Sequence, residues 1–330
     1  MKAIRFDRYG AAEVLRLAEV PVPGEDEGEV LVRVRAAGLN AADLHILNGV
    51  PYVMRPFQLG MRPRVGGVGS DFAGQVEAVG RGVTAVKPGD EVYGRVDQRG
   101  ILPAMGAVAE YVRVSADSVR LRPAGLSAVE AAAVPLAGAT ALQAMRDVRE
   151  GQRVLVNGAA GGVGSFAVQI AKARGAWVTG VCGRDKVAMV RSLGADEVVD
   201  RAAEDATRLR PGFHLVLDNG GDHSPSAWRQ VLLPGATYLA SFGRRQDVWL
   251  GPLGRLLRMM ALNLVVNQRL APLVAKPSGA DLDALTRLIE DGHVRPAVDR
   301  VFPLADTPAA VAHLAGGTAR GKVVVAVEEG

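Results

Sequence analysis

Residues 29–36 alternate polar and apolar side chains, Glu29-Val30-Leu31-Val32-Arg33-Val34-Arg35-Ala36, as a half-buried strand does. Residues 71–80 and 109–114 are similar, and the turn Lys87-Pro88-Gly89-Asp90 leads into another short strand, Glu91-Val92-Tyr93-Gly94. The first part of the chain is expected to be β-rich. From Ser127 the texture changes. Ser127-Ala128-Val129-Glu130 is a capping-box pattern that opens a helix. Apolar runs at 154–157, 177–182, 197–200, 215–218 and 237–242 then alternate with helical patterns at 186–193 and 226–233, and 268–274 offers a sixth strand. Such alternation predicts right-handed βαβ crossovers and a doubly wound parallel sheet. The tail adds a helix over 281–291, an extended 294–304, a helix over 307–315 and a strand at 322–327 expected to return to the first domain. The pattern therefore divides the chain into a β-rich domain of residues 1–123 and 276–330, and an inserted α/β domain of residues 124–275.

The chemistry enters at the first of the parallel strands. Val154-Leu155-Val156-Asn157 runs into Gly158-Ala159-Ala160-Gly161-Gly162-Val163-Gly164 and then into the helical pattern 165–172. Strand, tight turn and helix N-terminus together present unpaired N–H groups and the positive end of a helix dipole, a seat for a pyrophosphate. Glycine is needed where the backbone turns sharply, where it touches phosphate and where helix packs on strand. Gly158, Ala160, Gly161, Gly162 and Val163 are the positions expected at a dinucleotide.

Composition narrows the class. With 330 residues, 48% hydrophobic, the chain is long enough for two domains with sizeable cores. The net charge of +4 comes from arginines spread along the chain, without a long Lys/Arg block, so a solvated surface is expected and no nucleic-acid partner. The single cysteine, Cys182, excludes an internal disulfide and a cysteine-based zinc cluster, and suits a reducing compartment. The first residues, Met1-Lys2-Ala3-Ile4-Arg5-Phe6, lack a signal-peptide core, and the most apolar stretch, 248–274, is interrupted by Pro252, Arg255, Arg258 and Asn263. A cytoplasmic protein without a membrane span is expected.

The order of short motifs is recognisable. Ala37-Gly38-Leu39-Asn40-Ala41-Ala42-Asp43, Gly69-Ser70-Asp71-Phe72-Ala73-Gly74, Val86-Lys87-Pro88-Gly89-Asp90-Glu91-Val92-Tyr93-Gly94, Pro135-Leu136-Ala137-Gly138-Ala139-Thr140-Ala141, the glycine turn and Ala319-Arg320-Gly321-Lys322-Val323-Val324 follow one another. Over its full length the chain resembles the medium-chain dehydrogenase/reductase superfamily, and within it the zinc-free quinone oxidoreductase and enoyl reductase branch. The resemblance implies an α/β protein: a GroES-like β-rich catalytic domain joined to a doubly wound Rossmann domain that binds NADP. It also implies a homodimer. Zinc alcohol dehydrogenases of this superfamily look like Gly-x-Cys-Gly-Thr-Asp at the first motif and Gly-His-Glu at the second. Here Asn40 stands in place of the cysteine and Gly69-Ser70-Asp71 in place of the second motif. A catalytic zinc needs about three protein ligands. Asp71 and His45 do not make that set, so no metal is expected.

Without a Lewis acid, hydride transfer suits acceptors that are already activated: quinones, enones and enoyl thioesters. Hydride adds to the β carbon and negative charge spreads onto a carbonyl oxygen that hydrogen-bond donors stabilise. The resemblance places Asn40 on the nicotinamide-facing cleft, either holding that oxygen or a water, or fixing the loop backbone. Tyr52 lies where relatives carry a tyrosine proposed to donate a proton or position substrate; a packing role is the alternative. His45 is a candidate proton donor or a packed helix residue. Asp43 is expected to cap or orient that helix. Thr140 resembles the threonine on the nicotinamide side, and Lys322 in the closing motif is assigned to the cofactor. Asn219 and Phe242, at carboxyl ends of predicted strands, are assigned there too.

Cofactor choice hangs on the end of the second parallel strand, Val181-Cys182-Gly183-Arg184-Asp185-Lys186. An NAD enzyme carries an acid there for the ribose hydroxyls. Cys182 and Gly183 are not acidic, whereas Arg184 and Lys186, with Arg201 after the third strand, suit a 2′-phosphate. Asp185 reads as the N-cap of the following helix. NADPH is the expected cofactor. The expected function is an NADPH-dependent, zinc-independent oxidoreductase acting on a quinone or an activated C=C bond of a small molecule. The alternatives are a metal-free carbonyl reductase or alcohol dehydrogenase, and a catalytically weak NADPH-binding protein. The apolar stretch 249–273 reads as core, as subunit interface or as a lid over the substrate.

Overall fold

The computed structural model describes residues 1–52, 66–96, 106–241, 249, 253–276 and 278–328. It divides into two compact units, Met1–Ala139 with Pro277–Gly292 and Pro296–Gly330, and Thr140–Lys276 with His293–Arg295. The domain boundary expected at 123/124 lies before the helix Ala128–Ala132, which packs on strands of the first unit; that unit runs on to Ala139.

The chain opens with the hairpin β1 (Lys2–Arg5) and β2 (Arg16–Glu19). β3 (Glu29–Leu39) follows, then α1 (Ala41–Asn48), β4 (Asp71–Val79), β5 (Glu91–Arg95), β6 (Tyr111–Ser115) and β7 (Val119–Leu121). β3 is longer than its alternating segment because Ala36–Leu39 are buried on both sides. It pairs antiparallel with β4 and β6. α2 (Ala128–Ala132) begins at Ser127, whose hydroxyl accepts from the Glu130 N–H while the Glu130 carboxylate accepts from the Ser127 N–H at 3.0 Å. The capping box read from the sequence is present. α3 (Pro135–Ala144) closes this region.

In the second unit β8 (Arg153–Asn157), α4 (Gly162–Ala173), β9 (Trp177–Cys182), α5 (Val187–Ser192), β10 (Glu197–Asp200) and β11 (Phe213–Asp218) alternate. α6 (Pro225–Trp228), β12 (Leu232–Ala240), α7 (Leu253–Asn263) and β13 (Arg269–Pro272) complete it. All six strands are parallel, in the order β10-β9-β8-β11-β12-β13. That is a doubly wound sheet whose strand order reverses between β8 and β11, so ligands belong outside the carboxyl ends of these two strands. Val154, Leu155 and Val156 are fully buried, which explains why β8 reads as a continuous apolar run. The helix expected over 226–233 is instead the short α6 and a 3-10 turn, with β12 starting at Leu232. Pro234 cannot continue a helix, and Leu232 instead pairs with Phe213 on β11.

α8 (Gly279–Glu290), β14 (Val298–Pro303), α9 (Thr307–Gly316) and β15 (Lys322–Ala326) belong to the first unit. β15 pairs antiparallel with β3, Val323 opposite Leu39, so the closing strand does return to the first sheet. That sheet reads β14-β15-β3-β4-β5-β7 with β6 beside β3. The pairing brings Lys322, at the start of β15, to the end of β3 where Asn40 follows. No helix among the described residues is long and apolar enough to cross a membrane.

Candidate active site

The glycine turn lies where the sheet order reverses. Gly158, with φ +77°, takes the left-handed conformation that ordinary side chains resist. A Cβ on Gly164 would lie 2.1 Å from the Gly158 carbonyl oxygen, so only glycine lets the turn pack under α4. The N–H groups of Gly158 and Ala159 both donate to Val181 O at 3.0 Å, tying the turn to β9. Gly161 is the N-cap of α4, without a side-chain cap and with no acid in the first turn. The first-turn N–H groups, those of Gly162 and Val163 among them, therefore face away from any intrahelical acceptor. Ala160 is buried, and Gly161, Gly162 and Val163 are half-buried.

Asn219, directly after β11, sits against this turn: its Cβ would lie 3.3 Å from a Cβ on Gly158. Both atoms of its amide are buried and make no hydrogen bond. Its neighbour Asp218 is the opposite case. One carboxylate oxygen accepts from Asn157 Nδ2 at 2.8 Å, Gly220 N at 3.1 Å and Gly221 N at 3.0 Å. The other accepts from Tyr238 Oη at 2.9 Å and from Arg255 of α7. Asp218 thus fixes the 219–221 loop beside the glycine turn, and burial beside this carboxylate raises the Tyr238 phenol well above its usual range. The sequence reading named the loop but not this hub, because Tyr238 and Arg255 lie 20 and 37 residues further on.

At the end of β9, Gly183, Arg184 and Arg201 come together. Arg184 Nε donates to Asp200 Oδ2 at 3.0 Å while most of its side chain is in solvent. Backbone donation from Ala202 and the Arg184 guanidinium hold Asp200 below the usual carboxylate range. Lys186 closes the 3-10 turn Arg184–Lys186. Asp185 is not a helix cap: Gly183 takes that position for the 3-10 turn, Lys186 takes it for α5, and neither helix has a side-chain cap. Asn157, Val181, Arg201, Asp205, His223 and Trp228 line a cavity of about 260 Å³ in this unit. Thr140, in α3, is 9% exposed. Phe242 lies outside the described residues.

The first unit holds a second polar group. Asn40 is the N-cap of α1 in extended backbone, and its N–H donates to Asp43 Oδ2 at 2.7 Å. Asp43 Oδ1 accepts from Gly69 N at 3.2 Å and the Ser70 hydroxyl at 3.0 Å. Asp43 therefore caps the helix, as its position suggested, and also holds the second motif, which its position did not announce. Burial, with the Asp71 carboxylate adding to it, pushes the Asp43 carboxyl up to about 6. Asn40 Nδ2 donates to Asp71 Oδ2 at 2.9 Å, and Leu136 N donates to the other Asp71 oxygen at 3.0 Å. The Lys322 ammonium donates to Asn40 Oδ1 and lies 3.3 Å from Asp71 Oδ2. Burial raises the Asp71 carboxyl, opposed by Lys322 and Asn40. Lys322, expected at the cofactor, is thus 2% exposed and committed to side chains of its own unit. His45 lies half-buried in α1, and Tyr52 is the last described residue before 53–65.

Two family profiles match: zinc-binding dehydrogenase over residues 193–325, and the alcohol dehydrogenase GroES-like domain over 26–124. The chain is 34% identical over 364 residues to NAD(P)H oxidoreductase RTN4IP1, mitochondrial, of Danio rerio, covering 100% of this chain and 92% of that protein. It is 33% identical over 338 residues to quinone-oxidoreductase QR1, chloroplastic, of Triphysaria versicolor, covering 98% of each. The chain belongs to the medium-chain dehydrogenase/reductase superfamily. Among solved structures of this superfamily, Escherichia coli quinone oxidoreductase complexed with NADPH superposes with a TM-score of 0.84 at 26% identity, over 99% of this chain and 100% of that one. The GroES-like and Rossmann-like units of the family are those described above.

The family name implies zinc, and the donor set here does not fit it. Among the described residues no group of three or more His, Cys, Asp or Glu side chains is placed to hold a metal. Around Asp71 stand the Asn40 amide, the Leu136 N–H and the Lys322 ammonium, and the ammonium already supplies a positive charge. The nicotinamide dinucleotide implied by the family does fit: an uncapped helix N-terminus, a glycine turn and a buried amide without partners meet at the reversal of strand order.

Proposed function

We propose that the chain is an NADPH-dependent, zinc-independent reductase of quinones or of activated C=C bonds in enones and enoyl thioesters. The observation that carries the reading is the Asn219 amide, buried against Gly158 with both polar atoms unbonded. A buried amide left without partners costs about 1–3 kcal/mol. That cost is removed when a ligand supplies the partners. Gly162 and Val163 would take the pyrophosphate on their N–H groups, while Ala160 and Gly161, whose own N–H closes the turn onto Gly158 O, let the backbone approach it. Arg184, Lys186 and Arg201, beside non-acidic Cys182 and Gly183, would take the 2′-phosphate. Thr140 and Asn219 would meet the nicotinamide half.

Bound NADPH supplies a hydride, two electrons with one hydrogen. The chain's part is to bind and orient the acceptor and to stabilise the negative charge that reaches its carbonyl oxygen. Asn40 spends one N–H on Asp71 and retains a second. Tyr52 and His45 are the candidates for the proton that completes the reduction. The mismatch of donors at Asp71 favours activated acceptors over metal-assisted alcohol oxidation. The acceptor is a small molecule, and the lone buried Cys182 suits a reducing compartment such as the cytosol. A homodimer accounts for Leu257 and Met260 of α7 and Leu264 just beyond its end, which are 65%, 66% and 86% exposed.

The test is NADPH oxidation with phenanthrenequinone, a short enone and crotonyl thioester, run beside NADH and a zinc determination. Reduction of one of these by zinc-free protein, with NADPH preferred, is expected. Tight NADPH binding without turnover of any acceptor favours the binding-protein alternative. Stoichiometric zinc with activity lost on chelation overturns the metal-free reading.

A further inference from the structure

Asn40, Asp71 and Lys322 form a closed set of three contacts. Nζ of Lys322 donates to Asn40 Oδ1, Asn40 Nδ2 donates to Asp71 Oδ2, and that oxygen lies 3.3 Å from Nζ. Asp71 is fully buried, Lys322 is 2% exposed and Asn40 is 8% exposed. A primary amide can turn end for end about its last bond, and its two ends have opposite polarity. An ammonium only donates and a carboxylate only accepts. With the ammonium at one end and the carboxylate at the other, the reversed amide would set donor against donor and acceptor against acceptor. Only one orientation survives. The charges therefore decide which way Asn40 presents its remaining N–H.

The second consequence concerns charge. Asp43 and Asp71 are two buried carboxylates on one small cluster; the Lys322 ammonium is in contact with it, and Arg95 adds a further positive charge that acts on Asp71. Removing the ammonium would leave Asp71 to compete for protons and Asn40 free to flip.

We propose that Lys322 is a positioning residue for the reduction: it locks the Asn40 amide with its free N–H available to the acceptor oxygen, and does so without touching the cofactor. The inference rests on the reductase reading above, since Asn40 matters only if an acceptor reaches it. It differs from the family-based assignment of Lys322 to the cofactor, and from a purely structural ion pair.

The experiment compares wild type with Lys322→Arg, Lys322→Met with Asp71→Asn (an uncharged pair), Asn40→Ala and the triple combination. It measures thermal unfolding, NADPH dissociation by fluorescence, and the single-turnover rate of acceptor reduction. The uncharged pair is expected to bind NADPH within about 2-fold of wild type yet to reduce the acceptor about 100-fold more slowly, the scale of a lost oxyanion donor. Asn40→Ala should lose a similar factor, and the triple variant should lose no more, because both changes remove one function. Lys322→Arg should retain most of the rate. If the uncharged pair does not fold, Asn40→Asp decides: its carboxyl still accepts from Lys322, and the one proton it shares with Asp71 leaves no donor for the acceptor, so NADPH binding should persist and the rate should fall as in Asn40→Ala. A rate loss that adds to that of Asn40→Ala, an NADPH affinity that falls with the rate, or a wild-type rate in the uncharged pair or in Asn40→Asp overturns the proposal. Wild type inactive toward every acceptor sinks the reductase reading itself; an active wild type with insensitive variants sinks only this one.

Discussion

Asp43 accepts from the Asn40 N–H, the Gly69 N–H and the Ser70 hydroxyl, yet it lies so deep that burial outweighs these donors and its carboxyl rises to about 6. An unfolded aspartate titrates near about 3.9. Between these values the folded chain holds a proton that the unfolded chain has released. Its contribution is full below about pH 4, is lost as pH rises through about 6, and amounts to roughly 3 kcal/mol. The Asp43→Asn variant stays neutral, so its stability relative to wild type should increase by about that much between pH 4 and 7 in urea unfolding. Parallel pH profiles would show that Asp43 is ionised throughout. At the cofactor end, Arg184→Ala should lower kcat/KM for NADPH about 10-fold while leaving NADH unchanged or improved, since it removes one charge-assisted contact and releases Asp200. Equal losses for both cofactors would remove Arg184 from the 2′-phosphate. These residue-scale roles were unevenly legible. Asn40 and the cations at 184, 186 and 201 stood out by motif position. The Lys322 ammonium contact did not, because it spans 282 residues and depends on β15 pairing with β3.

At the scale of elements, β9 and β10 match their sequence segments residue for residue: β9 is a buried parallel strand and reads as a short apolar run closed by Gly183, whereas β10 is the edge strand, Val198 and Val199 between two acids. The helix after β11 overran because Leu232 and Leu233 extend an apolar helical pattern that Pro234 forbids. α7 is the instructive case. The broad apolar face read across 249–273 is two faces. Met259 is buried and Leu256 and Leu262 pack on the core, whereas Leu257, Met260 and Leu264 lie in solvent. Hydrophobicity alone cannot separate a face that packs on the core from one that lies in solvent. Met259→Ala should cost about 2–5 kcal/mol of stability. Leu257→Glu with Leu264→Glu should leave the unfolding midpoint nearly unchanged and convert a dimer to monomer in light scattering. A dimer that survives both charges puts the subunit interface elsewhere.

For the whole molecule, six motifs in one order identified the superfamily, and the two folded units agree with it. The parallel order with its reversal between β8 and β11 marks the seat for a dinucleotide, and the cluster around Asp71 offers an amide, a backbone N–H and an ammonium where a metal would need ligands. The acceptor was not legible, because binding loops vary on a common frame and carry no periodic signal. The central claim is reduction by NADPH without metal. It is tested most directly by steady-state NADPH oxidation with phenanthrenequinone, using protein dialysed against chelator and checked for zinc. The account predicts full activity without zinc and a kcat/KM for NADPH at least about 10-fold above that for NADH. Activity that vanishes on dialysis and returns with zinc, or NADPH that binds but is never oxidised by any acceptor, would contradict it.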